Sequence, residues 1–99
     1  MGTPEGEFKR KLRKYLESNG IFYMSVGEGA YSTPGIPDIV LVIDGRFVGF
    51  EVKTYNGSQR PLQRKFQERL EDAGGKYYII RSMKDVEDAL SEICSNTTV

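Results

Sequence analysis

Apolar residues recur along this chain with two different periods. Over residues 4–18, Phe8, Leu12, Tyr15 and Leu16 fall on one side of a 3.6-residue repeat, which predicts an amphipathic helix. Pro4 suits its first turn, Thr3 is placed to cap it, and Asn19-Gly20 ends it. "IFYMSV" (21–26) reads as a short strand, and "GEGAYSTPG" (27–35), with Gly27, Gly29 and Gly35, as a loop. "DIVLVI" (38–43) and "RFVGFEVK" (46–53) then flank Asp44-Gly45, a strong signal for a two-residue hairpin turn. The first of these strands is apolar almost throughout, so both its faces are expected to be covered. Leu62, Phe66, Leu70 and Ala73 give a helix over about 60–73, stopped by Gly74-Gly75. "KYYIIRS" is a further strand, and Val86, Ala89, Leu90 and Ile93 mark a last helix from Met83 to about Ile93. The order αβββαβα predicts one α/β domain over 1–99. Its core spans about 5–93, a small mixed sheet flanked by helices, with 94–99 a frayed tail.

Composition narrows the chemistry. The chain is 38% hydrophobic and 28% charged, which suits a globular fold. No apolar run approaches the roughly 20 residues that span a bilayer, and the N-terminus lacks a signal-peptide core, so a cytoplasmic protein is expected. There is no histidine and only one cysteine, Cys94. That removes histidine–metal sites, Ser-His-Asp hydrolysis, zinc fingers and intrachain disulfides. Net charge is zero, but Lys9, Arg10, Lys11, Arg13 and Lys14 cluster on the first helix, and Arg60, Arg64, Lys65 and Arg69 on the second. Either cluster alone is satisfied by a solvated helix face; together they suit phosphates, with Lys9, Lys11, Lys14, Arg60 and Arg64 as candidate nucleic-acid backbone contacts.

The hairpin carries the chemistry. Glu51 and Lys53 alternate onto one face of their strand, and the turn at Asp44-Gly45 sets Asp38 opposite Glu51. Two carboxylates and an ammonium then converge at one end of a greasy hairpin. Carboxylates at close range repel, and a hard divalent cation, Mg²⁺ or Mn²⁺, relieves that repulsion. The Val52 carbonyl is a third candidate oxygen. Lys53 is placed to neutralise charge developing on a phosphodiester or to hold an attacking water. Asp38 could instead cap the loop, and Glu51 and Lys53 could be an exposed ion pair of small value.

"GIPDIV" followed by "FEVK" resembles the signature of the PD-(D/E)XK nucleases: Pro37-Asp38 matches its first half, Glu51-Val52-Lys53 its second. With the downstream "Q-x-x-x-Q-x-x-L-x-x-A-G-G", the chain more narrowly resembles the virus-type replication-repair nucleases (VRR-NUC). The resemblance covers roughly residues 5 to 90. It implies a restriction-endonuclease-like αβββαβ core and a metal-dependent DNA endonuclease. It also implies Gln63 as an accessory residue on the second helix and a first-helix glutamate, Glu7 or alternatively Glu5. Phage-type replication, recombination or repair, in the host cytoplasm if phage-encoded, and a homodimer cutting branched DNA such as a four-way junction are further implications. So short a chain leaves little room for a sequence-reading domain, so structure-selective cutting is expected. The competing reading is a non-catalytic nucleic-acid-binding module on the same fold. Tyr31, Ser32 and Thr33 are either loop filler or phosphate contacts, and Gly35 is a place for DNA to approach.

Overall fold

A computed structural model describes residues 3–26, 33–54 and 56–96; Gly27, Gly29, Tyr31, Ser32 and the last residues of the tail lie outside the described residues. Helix α1 (Pro4–Ser18) begins where expected, with the Gly6 N–H donating to the Thr3 hydroxyl at 3.0 Å. Strand β1 (Phe22–Ser25), the hairpin β2 (Ile39–Ile43) and β3 (Arg46–Val52), helix α2 (Pro61–Asp72), strand β4 (Lys76–Ile80) and helix α3 (Met83–Asn96) follow. The last helix continues a turn beyond the expected end at Ile93, so it takes in the start of the tail.

The four strands form one mixed sheet in the order β1-β2-β3-β4. The first two pairings are antiparallel and β3–β4 is parallel, as a connection through α2 requires. Asp44 and Gly45 both have positive φ, the demand of a tight hairpin turn whose twist matches its strands. That turn sets Ile39 against Phe50 and so carries Asp38 to the level of Glu51.

One sheet face, with Ile39, Leu41, Val48, Phe50, Val52 and Ile80, packs on Leu12 and Leu16 of α1 and on Val86, Ala89 and Ile93 of α3. Helix α2 lies on the opposite face beside β4. Leu70 sits where a side chain at Gly75 would project, 2.5 Å from that Cβ position. Pro37 covers Gly49 in the same manner, at 2.7 Å, and is itself fully buried. A larger residue at 49 would push Pro37, and Asp38 with it, off the sheet.

Two expectations need correction. Strand β2 is buried on both faces only over Ile39–Leu41; Val42 is 42% exposed, because α2 stops short of the outer strands. In α2 the apolar stripe is incomplete: Phe66 and Leu70 are half-buried, Ala73 is exposed, and Leu62 is 57% exposed. The first turn of that helix overhangs a cleft and does not lie on the sheet.

Candidate active site

The cleft, about 750 Å³, opens at the end of the hairpin away from the turn. It lies between the start of α1, the loop Thr33–Pro37, the ends of β2 and β3, and the first turn of α2. Asp38, Glu51, Val52, Lys53 and Gln63 all line it, as do Lys9 and Arg60.

Asp38 is held from two sides. Its Oδ2 accepts the Val52 N–H at 2.9 Å, and its Oδ1 accepts from the Lys9 ammonium at 3.2 Å. The N–H and carbonyl of one strand residue point to the same side, so the Val52 carbonyl also faces Asp38. The Lys53 N–H points the other way and donates to the Ile80 carbonyl at 3.1 Å, tying the end of β3 to β4.

Glu51 is only 5% exposed, and its Oε1 is buried with no hydrogen-bonding partner. Its Oε2 lies 3.7 Å from the Lys53 ammonium, whose side chain is 12% exposed. Burial, reinforced by the Asp38 carboxylate, which accepts from the protonated form and repels the charged one, pushes the Glu51 carboxyl up to about 8, while Lys53 and Lys9 pull it down. At neutral pH the metal-free Glu51 carboxyl therefore favours its protonated form. Tyr77, on the same sheet face, has a buried hydroxyl without a partner, and burial pushes its phenol up to about 12. The Gln59 amide lowers it without closing a hydrogen bond of good geometry.

Of the two first-helix glutamates, the fold brings Glu5 to the cleft and not Glu7. Residues four apart share a helix face and residues two apart do not, so Glu5 accompanies Lys9, at 3.8 Å, while Glu7 turns away. Glu7 lines a second, basic concavity on α1 with Arg10, Lys11 and Lys14. The basic candidates therefore split: Lys9 and Arg60 reach the cleft, Lys11 and Lys14 do not line it, and Arg64 is exposed on α2. Gln63 lines the cleft, but its Oε1 is occupied, accepting the Arg60 N–H at 2.8 Å at the start of α2. Thr33 lines the cleft mouth. At Gly35 the close approach comes from the chain itself: φ is +82°, and a Cβ would stand 2.2 Å from the Leu62 carbonyl oxygen.

Two contributors escaped the sequence. The Lys9–Asp38 ion pair joins residues 29 apart, and only the Glu5/Lys9 spacing hinted at that face. Arg81, just after β4, donates to the Thr54 and Gly57 carbonyls at 2.8 and 2.7 Å and so anchors the loop that follows Lys53.

The donor set is all oxygen. Asp38, the partnerless Glu51 Oε1 and the Val52 carbonyl suit a hard divalent cation and offer nothing to a soft one. Among the described residues no group of three or more His, Cys, Asp or Glu comes together, so water or substrate oxygens would complete the coordination.

The chain matches no family model and no curated protein. Among solved structures it is similar to a VRR_NUC domain, with a TM-score of 0.74 and 24% sequence identity over 91% of this chain and 97% of that one. The chain thus has the fold of a VRR_NUC domain, a mixed four-stranded sheet with three helices.

Proposed function

We propose that this protein is a metal-dependent endonuclease acting on DNA. The observation that carries the reading is Glu51: a buried carboxylate with a partnerless oxygen, facing a cleft beside Asp38 and an enclosed lysine. An unpaired buried oxygen costs stability, and a structural ion pair would not leave it open. Asp38, Glu51 and the Val52 carbonyl would hold Mg²⁺ or Mn²⁺, which when bound supplies Lewis acidity to a phosphodiester oxygen. Lys53 stabilises the charge that develops on the phosphate and orients the attacking water. Glu5 replaces Glu7 as the first-helix acid nearest the cleft, and Gln63 supports the start of α2.

Lys9 and Arg60 flank the cleft as phosphate contacts, which position a backbone without reading bases. That supports selection by DNA structure, with branched or four-way DNA of replication, recombination or repair as the substrate class. We infer a homodimer, so that two centres cut two strands. Among the described residues, four of the five exposed large hydrophobics share one sheet face: Phe22, Met24, Val42 and Phe47, with Val42 paired to both phenylalanines. "IFYMSV" thus offers an interface, whereas Tyr77 and Ile80 of "KYYIIRS" turn inside. Even the largest apolar patch on a typical monomer is only on the order of 300–600 Å². A stable interface buries about 800 Å² per partner, so polar residues around it must contribute.

The test is cleavage of linear, nicked, flap and four-way DNA by the purified protein with Mn²⁺ or with excess EDTA. Metal-dependent cutting, strongest on branched DNA, is expected. Binding without cleavage under all conditions would turn the reading into a non-catalytic module.

A further inference from the structure

In the Glu51-Val52-Lys53 motif one lysine, Lys53, serves the site; the cleft contains a second, Lys9. The Lys9 ammonium reaches across from α1 to Asp38 Oδ1, at 3.2 Å. The other oxygen of that carboxylate is committed to the Val52 N–H. Lys9 therefore sits on the Asp38 oxygen that the Val52 N–H leaves open. Its side chain is partly buried, as is that of Asp38, so this is not a freely solvated surface pair. One turn back on the same helix face, Glu5 Oε2 stands 3.8 Å from the same ammonium. That distance is too long for a hydrogen bond but short enough for Glu5 to take Lys9 over after a small side-chain rotation.

We propose that Lys9 is a resident counter-cation: it holds the Asp38–Glu51 pair together while no metal is bound, and a divalent cation must displace it toward Glu5 to bind. The proposal rests on the metal-site reading of Asp38 and Glu51. Among the described residues Lys9 is the ammonium ion-paired with Asp38, and Lys53 is ion-paired with Glu51. With Lys9 on Asp38, each carboxylate has its own ammonium. Entry of a dication makes one of those charges surplus, and Lys9 has an alternative partner in reach. Once moved, its ammonium remains beside the cleft, available to a phosphate that arrives with the DNA. Lys9 is thus a positioning residue that sets how tightly metal is held before substrate binds.

The experiment is calorimetric titration of the full chain with Mn²⁺ alone, without DNA. Replacing Lys9 by methionine keeps most of the unbranched side chain and removes its charge. The exchange of a partly exposed ion pair is worth little, so Lys9→Met should bind Mn²⁺ about two- to fivefold more tightly than the wild type. Glu5→Gln should weaken Mn²⁺ binding in the wild-type background and less so in the Lys9→Met background, because without Lys9 there is nothing for Glu5 to receive. As a second readout, the Mn²⁺-induced rise in melting temperature should be larger for Lys9→Met than for the wild type. Lys9→Gln repeats the test if the methionine variant does not fold. Unchanged or weaker Mn²⁺ binding by both Lys9 variants would overturn the proposal and leave the metal site standing. No Mn²⁺ binding by the wild type or any variant would overturn both.

Discussion

Glu51 makes the metal-free protein sensitive to pH in a way that can be isolated. Its carboxyl rises from the ordinary 4.5 to about 8 in the fold. Between those values the folded chain holds a proton that the unfolded chain has lost. Stability should therefore fall as pH rises from about 4.5 to about 8, and then level off. A tenfold change in proton affinity is worth ~1.4 kcal/mol, which bounds the loss at roughly 5 kcal/mol. Local relaxation around a carboxylate at a cleft mouth reduces that to the order of 2–3 kcal/mol. For a domain of this size, 1 kcal/mol moves the melting temperature by about 4–8 °C, so a fall of roughly 10–20 °C is expected. The sequence makes the measurement clean. There is no histidine, so apart from the amino terminus and Cys94 no other group ordinarily titrates in the upper part of this window. Glu51→Gln keeps the shape and cannot ionise. In EDTA, thermal unfolding followed by circular dichroism at pH 5, 6, 7 and 8 should show the wild type losing stability while Glu51→Gln stays nearly flat. The two should be close at pH 5, with the variant melting higher at pH 8. Parallel curves across the range would refute a proton buried on Glu51.

Lys53→Ala should abolish cleavage, read on labelled branched DNA, while circular dichroism and DNA affinity change little, because its work lies in the transition state. Gly35→Ala combines a positive φ with a Cβ 2.2 Å from the Leu62 carbonyl, whereas Gly20, also at positive φ, has open space. Urea unfolding should show about 1 kcal/mol lost at Gly20→Ala and roughly 2–4 kcal/mol at Gly35→Ala, where α2 must also move. DNA affinity should fall steeply with salt and depend little on sequence, and Arg60→Ala should weaken it more than Lys11→Ala or Lys14→Ala, because only Arg60 of the three lines the cleft. Light scattering at micromolar concentration should give a dimer mass that Phe22→Lys with Met24→Lys reduces to a monomer. A monomeric wild type, unchanged by four-way DNA, would remove the paired-cut model and leave the site untouched.

Local signals in the sequence were sufficient for the elements and for the convergence of Asp38, Glu51 and Lys53. Helix and strand periods, Thr3-Pro4, Asp44-Gly45 and Gly74-Gly75 are choices the backbone makes within a few residues. The hairpin is equally local, so the level at which Asp38 meets Glu51 follows from the turn and the alternation of side chains. Burial was less legible. Leu62 and Val42 look like core by type, yet each depends on whether a distant helix covers it, and α2 covers only the inner part of its face. The choice between Glu5 and Glu7 depended on the rotation of α1 about its axis, which is set by Leu12 and Leu16 in the core; the nearby sequence does not determine it. The same packing delivered Lys9 to Asp38 across 29 residues and Arg81 to the loop after Lys53. By itself, then, the sequence determined the elements, the hairpin register and the Asp38/Glu51/Lys53 set, because each arises from near neighbours on the chain. The tertiary structure alone decided which helix faces look into the cleft, and hence the counter-ion of Asp38 and the buried, partnerless oxygen of Glu51, because those follow from how whole elements pack.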